Sequence, residues 1–198
     1  MRERGLTERT IRRYGLGYGE DHRLRLAGPP SFKIPVRRRR RGEIVSLQER
    51  FWPEPWIPSG KELWKRTLGG EGRASYFYPD LPPGRNVALC AGPFDVLSAR
   101  QNGLRVATTA LSGTTFPRAL LPKLKGRAVA VVYDVDEEEQ AEATGALLRA
   151  DVPGVEAWSV RLAQLGLPAK GDLNDYYRLG GSTAELLDLI RAESRRAR

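Results

Sequence analysis

The sequence predicts an α/β protein whose second half is a doubly wound parallel sheet, preceded by a smaller and strongly basic α+β region. Two apolar runs, "NVALC" and "RAVAVVYDVD", are nearly continuous, as in strands that are covered on both faces of a parallel sheet. Amphipathic segments of helical spacing separate the apolar runs. The formal charge of +9 is also uneven, because residues 1 to 73 hold most of the unbalanced arginine.

The basic region begins with a predicted helix in "GLTERTIRRYG". Thr7 is a suitable N-cap and Gly15 a suitable stop signal. Two strands are expected next, Phe32–Val36 and Glu43–Gln48, joined by an arginine-rich turn. The following "WPEPWIPSG" is typical of a loop, and the short segment "KELWKRTLGG" comes after it.

From Asn86 onward, strands and helices alternate. "FDVLSARQNG" has helical spacing and ends at Gly103, and "RVATTALSG" is expected to be the next strand. "PRALLPKLKG" and "EEEQAEATGALLRA" are predicted helices, and "VEAWSVRL" a strand. This β-α-β-α-β-α-β order indicates a doubly wound unit. A last helix is expected in "STAELLDLIRAESRRAR", with Ser182 as its N-cap.

The composition of the 198 residues excludes several classes of protein. Cys90 is the only cysteine and His22 the only histidine, so a disulfide framework and a Cys/His zinc site are both excluded. Cys90 lies in an apolar strand and is expected to be a core thiol. No apolar run approaches the ~20 residues that span a bilayer, so we expect a soluble cytoplasmic protein. The basic charge favours a polyanionic partner.

Acidic residues follow three of the predicted strands. Asp95 comes after "VALCAG", Asp134 and Asp136 close the long strand, and Asp172 and Asp175 come after the last strand. Ligands of an open parallel sheet bind at the carboxyl ends of its strands, and carboxylate clusters suit Mg²⁺ or Mn²⁺. Taken alone, "DVDEEE" is more typical of an acidic helix N-terminus than of a metal site. The recurrence at three strand ends favours a metal site.

Four stretches, "CAGPFDVLSARQNG", "ATTALSGTT", "VVYDVDEEEQA" and "KGDLNDYY", together resemble the TOPRIM fold of bacterial-type primases, topoisomerases and some nucleases. Upstream, "RGLTERTIRRYGLGYG", "FKIPVRRRRRGEIVSLQERF" and "WKRTLGG" resemble the basic subdomain that precedes TOPRIM in bacterial-type replicative primases. The resemblance covers nearly the whole chain. It implies a division into a basic subdomain at residues 1–85, a TOPRIM domain at 86–180 and a C-terminal helix at 181–198.

The resemblance also implies roles for individual residues. Asp134 and Asp136 match the metal-binding pair, with Asp95 and Asp172 as further metal ligands. Supporting positions of this site are Gly92, Gly113 in the turn Ser112–Thr115, Asn174 and Asp175. Arg50 and Lys65 match a basic ridge that guides template and nucleoside triphosphates. The arginines of the turn have no counterpart and are assigned to phosphates by charge alone; they are Arg37, Arg38, Arg39, Arg40 and Arg41.

Ala91 departs from the resemblance. The first TOPRIM strand normally ends in Glu-Gly, and the glutamate binds metal and acts as acid or base, whereas this chain has Ala91-Gly92 at that place. Three explanations stay open: an introduced Glu-to-Ala substitution, a natural variant that uses the remaining acids, and a degenerate site that only binds nucleic acid. Ala91 therefore makes an impaired site the expectation for this chain.

The expected function is metal-dependent RNA primer synthesis on single-stranded DNA. The alternatives are a TOPRIM nuclease and a non-catalytic nucleic-acid-binding module associated with a replicative helicase. The expected partners are single-stranded DNA and nucleoside triphosphates, with a replicative helicase as a further candidate. Because zinc ribbon and helicase are both missing, the sequence indicates an excised polymerase core or a compact protein of a phage or mobile element.

Overall fold

The fold was analysed in a computed structural model, which describes residues 4–19, 30–37, 43–51, 57, 62, 65–68, 76–111 and 115–197. The chain separates into two compact units, Met1–Arg73 and Ala74–Arg198. The division into three parts at residues 85 and 180 stays a prediction. Four of the five clustered arginines, at positions 38–41, and Gly113 lie outside the described residues.

The described residues of the first unit form a helix and one antiparallel sheet. Helix α1 is Glu8–Tyr14, and the strands are β1 (Gly17–Gly19), β2 (Ser31–Arg37), β3 (Ile44–Phe51) and β4 (Lys65–Leu68). The strands lie in the order β1-β2-β3-β4, each antiparallel to its neighbour. Both predicted strands, β2 and β3, are confirmed. Strand β1 was not predicted, because Tyr18 is its only residue with a side chain and a glycine lies on each side of it.

The predicted ends of α1 are confirmed by its caps. The Thr10 main-chain N–H donates to Thr7 Oγ1 at 3.2 Å, as expected of an N-cap threonine. At the other end Gly15 adopts the left-handed conformation, φ 63°, in which glycine meets no Cβ penalty. Local sequence is therefore enough to define this helix.

The second unit is the predicted α/β sheet. Its strands are β5 (Asn86–Cys90), β6 (Ala107–Thr108), β7 (Ala128–Val132) and β8 (Glu156–Ser159). Its helices are α2 (Pro93–Gln101), α3 (Glu138–Asp151), α4 (Leu173–Arg178) and α5 (Thr183–Arg196). The strands are all parallel and lie in the order β6-β5-β7-β8. The predicted fold class is confirmed.

Both faces of this sheet are buried, as the apolar runs predicted. Val87 and Leu89 of β5 face one core, together with residues of α3. Ala88 and Cys90 face the other core, which α2, α4 and α5 complete. Cys90 is buried as expected, and this burial raises the pKa of its thiol well above the ordinary value, with a further rise from the charges of Asp95 and Asp134.

Three predicted elements differ in detail from the structure. The strand in "RVATTALSG" is reduced to β6, because Thr109 instead forms an antiparallel bridge with Tyr78. "PRALLPKLKG" forms a 3-10 helix, Arg118–Leu124, since Pro122 within it has no N–H for α-helical bonding. Gly103 follows the cap residue Asn102 and adopts φ 100°.

The C-terminal helix α5 begins where the sequence predicts. The main-chain N–H of Glu185 donates to Ser182 Oγ at 3.2 Å, and Leu186 on the inner face is buried. Helices α3 and α5 each contain 14 residues. In the part of the chain that the structure describes, no helix combines the length and apolar character needed to cross a membrane.

Candidate active site

The loops that carry the acidic residues meet at the switch point of the parallel sheet. The chain leaves β5 to form β6 on one side and returns to form β7 on the other. At such a reversal the connections diverge to opposite faces and leave a crevice at the carboxyl ends of the two strands. Ala91 and Gly92 follow β5, and Asp134 and Asp136 follow β7. The position of the predicted site therefore agrees with this rule for ligand binding.

Asp95 connects two of the loops through its carboxylate. The main-chain N–H of Gly92 donates to Asp95 Oδ2 at 2.9 Å, and that of Asn174 donates to Oδ1 at 3.3 Å. Asp95 is only 5% exposed. Buried N–H groups require an acceptor, so this carboxylate holds the turn after β5 against the first turn of α4.

Two further hydrogen bonds fix the remaining strand ends. The main-chain N–H of Val135 donates to the carbonyl oxygen of Gly171 at 3.0 Å. The hydroxyl of Thr109 donates to the carbonyl oxygen of Ala91 at 3.2 Å. The loop between Asp134 and Asp136 is thereby joined to the loop that carries Asp172, so all three acidic strand ends lie in one connected cluster of loops.

The electrostatic environment of Asp95 reflects this clustering. Burial raises its pKa well above the ordinary value, and the negative charges of Asp172 and Asp134 raise that pKa further. The two main-chain N–H groups oppose the rise. The direction of this pKa shift agrees with the hydrogen bonds that join the three acidic loops.

The other acidic residues have distinct positions. Asp172 caps α4, since the Asp175 main-chain N–H donates to its Oδ1 at 2.6 Å. Asp175 forms a salt bridge with Arg178 at 3.1 Å. Asp134 is the N-cap of the short 3-10 helix Val135–Glu137, and Asp136 is exposed within that helix. The acidic-helix interpretation of "DVDEEE" therefore also describes part of the local structure.

The donor set fits a hard divalent cation in its chemistry, since all of its side chains are carboxylates. Asp134 and Asp172 both lie close enough to raise the pKa of Asp95, and a cation among them would offset their repulsion. Over the ranges that the structure describes, however, no three Asp, Glu, His or Cys side chains are arranged to hold a metal ion. The carboxylates are neighbours without forming a closed ligand shell.

Two side chains of the site were not predicted to pack as they do. Asn174 Nδ2 donates to Ser98 Oγ at 2.9 Å in a fully buried pair between α4 and α2. Tyr176 lies against Gly181 so closely that a Cβ there would stand 2.3 Å from its ring. Glycine at the turn after α4 was the only sequence signal for this packing.

The basic residues assigned to nucleic acid lie on the antiparallel sheet of the first unit. Arg50 of β3 and Lys65 of β4 are direct register partners, so they occupy the same face. Arg37 at the end of β2 is exposed. On the opposite face, the buried carboxylate of Glu49 accepts from Lys33 Nζ at 2.7 Å and from Arg66 Nε at 2.5 Å.

Comparisons with known proteins agree with this architecture. No family model matches the sequence, and no curated protein matches it. Among solved structures, the Aquifex aeolicus primase (zinc-binding and RNA polymerase domains) is similar with a TM-score of 0.71 and 18% identity. That match covers 96% of this chain and 54% of the Aquifex chain, so the present chain spans about half of that protein.

Two further solved structures match equally broadly. The RNA polymerase domain of Mycobacterium tuberculosis primase DnaG has a TM-score of 0.70 at 17% identity. The primase fragment of the bacteriophage T7 primase-helicase has a TM-score of 0.64 at 16% identity. Each match covers 96% of this chain and 73% of the other.

The architecture therefore defines a class, the α/β proteins that carry a parallel TOPRIM-type sheet after an antiparallel basic unit. Within that class, the chain has the fold of the catalytic core of bacterial DnaG-type primases.

Proposed function

We propose that this protein is a primase-type nucleotidyltransferase core that acts on single-stranded DNA, with a site weakened by Ala91. The observation that carries the proposal is that hydrogen bonds join the loops of Asp95, Asp134 and Asp172 at the carboxyl ends of the strands in a primase-core sheet. Two structures of similar fold, both of DnaG primases, contain DNA, which is double-stranded in one and single-stranded in the other. Their ligands support nucleic acid as the partner of this chain.

Asp134 and Asp136 would hold Mg²⁺ or Mn²⁺, with Asp172 beside them. The bound ion supplies charge neutralisation for a phosphate. Asp95 has a different task, because both of its oxygens already accept main-chain N–H groups. It holds the Gly92 turn and the start of α4 in place.

The cationic register pair of the first unit would bind the DNA backbone. Arg50 and Lys65 lie side by side on adjacent strands, and two like charges opposite each other favour an anion between them. Contacts of this kind position a nucleic acid without reading its sequence. The net charge of +9 favours the same partner.

Primer synthesis on single-stranded DNA, with ribonucleoside triphosphates and Mg²⁺ or Mn²⁺, tests the catalytic part. Ala91→Glu should synthesise primers faster than the wild-type chain by about 10²-fold or more, the usual contribution of a positioned acid or base. The double variant Ala91→Glu/Asp134→Ala should be inactive. If Ala91→Glu makes no primers, polymerase activity is wrong for this protein. Metal-dependent shortening of the DNA would instead indicate a nuclease.

A non-catalytic nucleic-acid-binding module is the second candidate. It is favoured by Ala91 and by the lack of three convergent ligands among the residues with described structure. Salt-sensitive DNA binding by a chain that shows no heat of metal binding in calorimetry would support this function. A heat of Mg²⁺ or Mn²⁺ binding that Asp134→Ala abolishes would contradict it.

A further inference from the structure

One row of side chains crosses all four strands of the antiparallel sheet. Tyr18 pairs with Phe32, Phe32 pairs with Arg50, and Arg50 pairs with Lys65. Directly opposed residues of antiparallel strands point to the same face. With strands about 4.8 Å apart, this aromatic–basic row extends over about 14 Å.

The two ends of the row differ in chemistry. At the edge strand β1, Tyr18 is 53% exposed, and its ring centroid lies 5.0 Å from that of the buried Phe32. At the other end, Arg50 is half-buried and Lys65 is exposed. The exposed Tyr18 and the exposed Lys65 thus lie on opposite edge strands of the same face, with the buried Phe32 and the half-buried Arg50 between them.

The adjacent row on the opposite face has a different character. There Gly17, Lys33, Glu49 and Arg66 are successive register partners. The buried Glu49 binds both Lys33 and Arg66, so these cations have a structural partner within the sheet. An exposed aromatic ring together with cations occurs in the first row and not in this one.

We infer that Tyr18 is a base-stacking residue for single-stranded nucleic acid, which would contact the exposed ends of the aromatic–basic row with its phosphates near Arg50 and Lys65. Proteins that bind single strands combine a basic surface with aromatic rings on which bases stack. The contact with Phe32 supports the Tyr18 ring in position before any base arrives. Bases inside a duplex are already stacked, so this contact selects single strands. The inference rests on the proposed DNA-binding function.

Fluorescence anisotropy with a labelled oligothymidylate of about twelve nucleotides tests the inference. Tyr18→Ala should weaken binding about 5- to 150-fold, which corresponds to one stacked base at ~1–3 kcal/mol, whereas Tyr18→Phe should bind within about twofold of wild type because the ring is kept. Ile44→Ala is the matched control, since Ile44 lies on the same sheet and is 54% exposed but has no ring. It should bind like the wild-type chain.

An abasic oligonucleotide of the same length separates stacking from general damage to the sheet. On this probe the wild-type chain and Tyr18→Ala should bind equally, because no base is present to stack. The dependence of affinity on salt should also be equal for these two proteins on oligothymidylate. Lys65→Ala should instead lower the slope by about 0.7, the value for one phosphate contact on a single strand.

The possible results are distinct. If wild type binds oligothymidylate and Tyr18→Ala binds it equally well, the stacking role is wrong and the proposed DNA binding stands. If Tyr18→Ala loses equal affinity for the abasic probe, Tyr18 only supports the sheet, and the inference is again overturned. If the wild-type chain binds no single strand at all, the proposed function itself fails.

Discussion

Asn174 donates its main-chain N–H to Oδ1 of Asp95, which lies 3.3 Å away and 79 positions earlier in the chain. The second oxygen of the same carboxylate accepts from Gly92 at 2.9 Å. A single buried side chain thus joins the turn after the first strand of the parallel sheet to the helix after its last strand. The geometry of the candidate site depends on this connection.

Asp95→Ala should lower the free energy of unfolding by about 1–3 kcal/mol, because buried N–H groups lose their acceptor. The relieved repulsion from Asp134 and Asp172 keeps the loss within that range. Urea denaturation measures the change. Asp136→Ala is the control, since Asp136 is exposed and should change stability by no more than about 0.5 kcal/mol. Equal stability of the two variants would contradict the bracing role of Asp95.

Gly181→Ala should destabilise the second unit, because the new methyl group would stand 2.3 Å from the Tyr176 ring. Tyr176 is held by hydrogen bonds of its hydroxyl group to Ser182 and Glu185, so the ring cannot move aside freely. Overpacking of this kind costs about 1–3 kcal/mol, which thermal denaturation measures.

Gly145→Ala is the control for Gly181→Ala, because it introduces the same methyl group where there is room for it. A Cβ at Gly145 would be no closer than 3.4 Å to its neighbours, and alanine is favoured over glycine inside a helix by about 1 kcal/mol. We expect this variant to be at least as stable as the wild-type chain. If Gly145→Ala lost as much stability as Gly181→Ala, steric contact with Tyr176 would not be the cause of the destabilisation by Gly181→Ala.

The sequence predicted the parallel sheet well, because its strands are defined by local apolar runs such as residues 86–90 and 128–132. It also located the loops after β5 and β7, since glycine and acidic residues follow those strands directly. Both successes depend on information contained within a few neighbouring residues.

The hydrogen bonds of Asp95 could not be predicted in the same way. Its partner Asn174 belongs to α4, a helix of six residues that is too short to show a hydrophobic period. That helix is stabilised by the Asp172 cap and by the packing of Tyr176 against Gly181. Similarly, the central role of Glu49 follows from strand register, which brings Lys33 and Arg66 to its two sides.

Glu49 should make the stability of the first unit dependent on pH. Its burial alone would raise its pKa, but hydrogen bonds and charges of Lys33 and Arg66 outweigh that effect and hold the pKa below the ordinary value. The unfolded chain therefore binds the proton more readily. The stabilisation is complete above the unfolded pKa of about 4.3 and is lost as the pH falls through the lower folded value.

Glu49→Gln is the test of this dependence. The variant should lose about 3 kcal/mol at neutral pH, because two cations are left without their buried carboxylate. Its stability should then change less than that of the wild-type chain between pH ~5 and pH ~3. Parallel pH profiles for the two proteins in denaturation experiments would exclude Glu49 as the titrating group.

Arg50→Ala and Lys65→Ala should each weaken binding of single-stranded DNA to a similar extent on every sequence. Each removes a phosphate contact, so the slope of log affinity against log salt should fall by about 0.7 per variant. Arg12→Ala is the control, because Arg12 is an exposed cation that already pairs with Glu8 on α1. A loss confined to particular base sequences would indicate base contacts instead.

Ala91→Glu should increase the stabilisation of the protein by Mg²⁺. The carbonyl oxygen of Ala91 accepts from the Thr109 hydroxyl, and the next residue, Gly92, donates its main-chain N–H to Asp95. Without metal, a new carboxylate there adds to the repulsion, so the variant should melt below the wild-type chain. With saturating Mg²⁺ the variant should melt above the wild-type chain, since a ligand that binds the folded state stabilises that state by mass action. Ala91→Gln matches the size without the charge, and an equal Mg²⁺-induced rise in Tm for Gln and Glu would mean that position 91 does not face the metal.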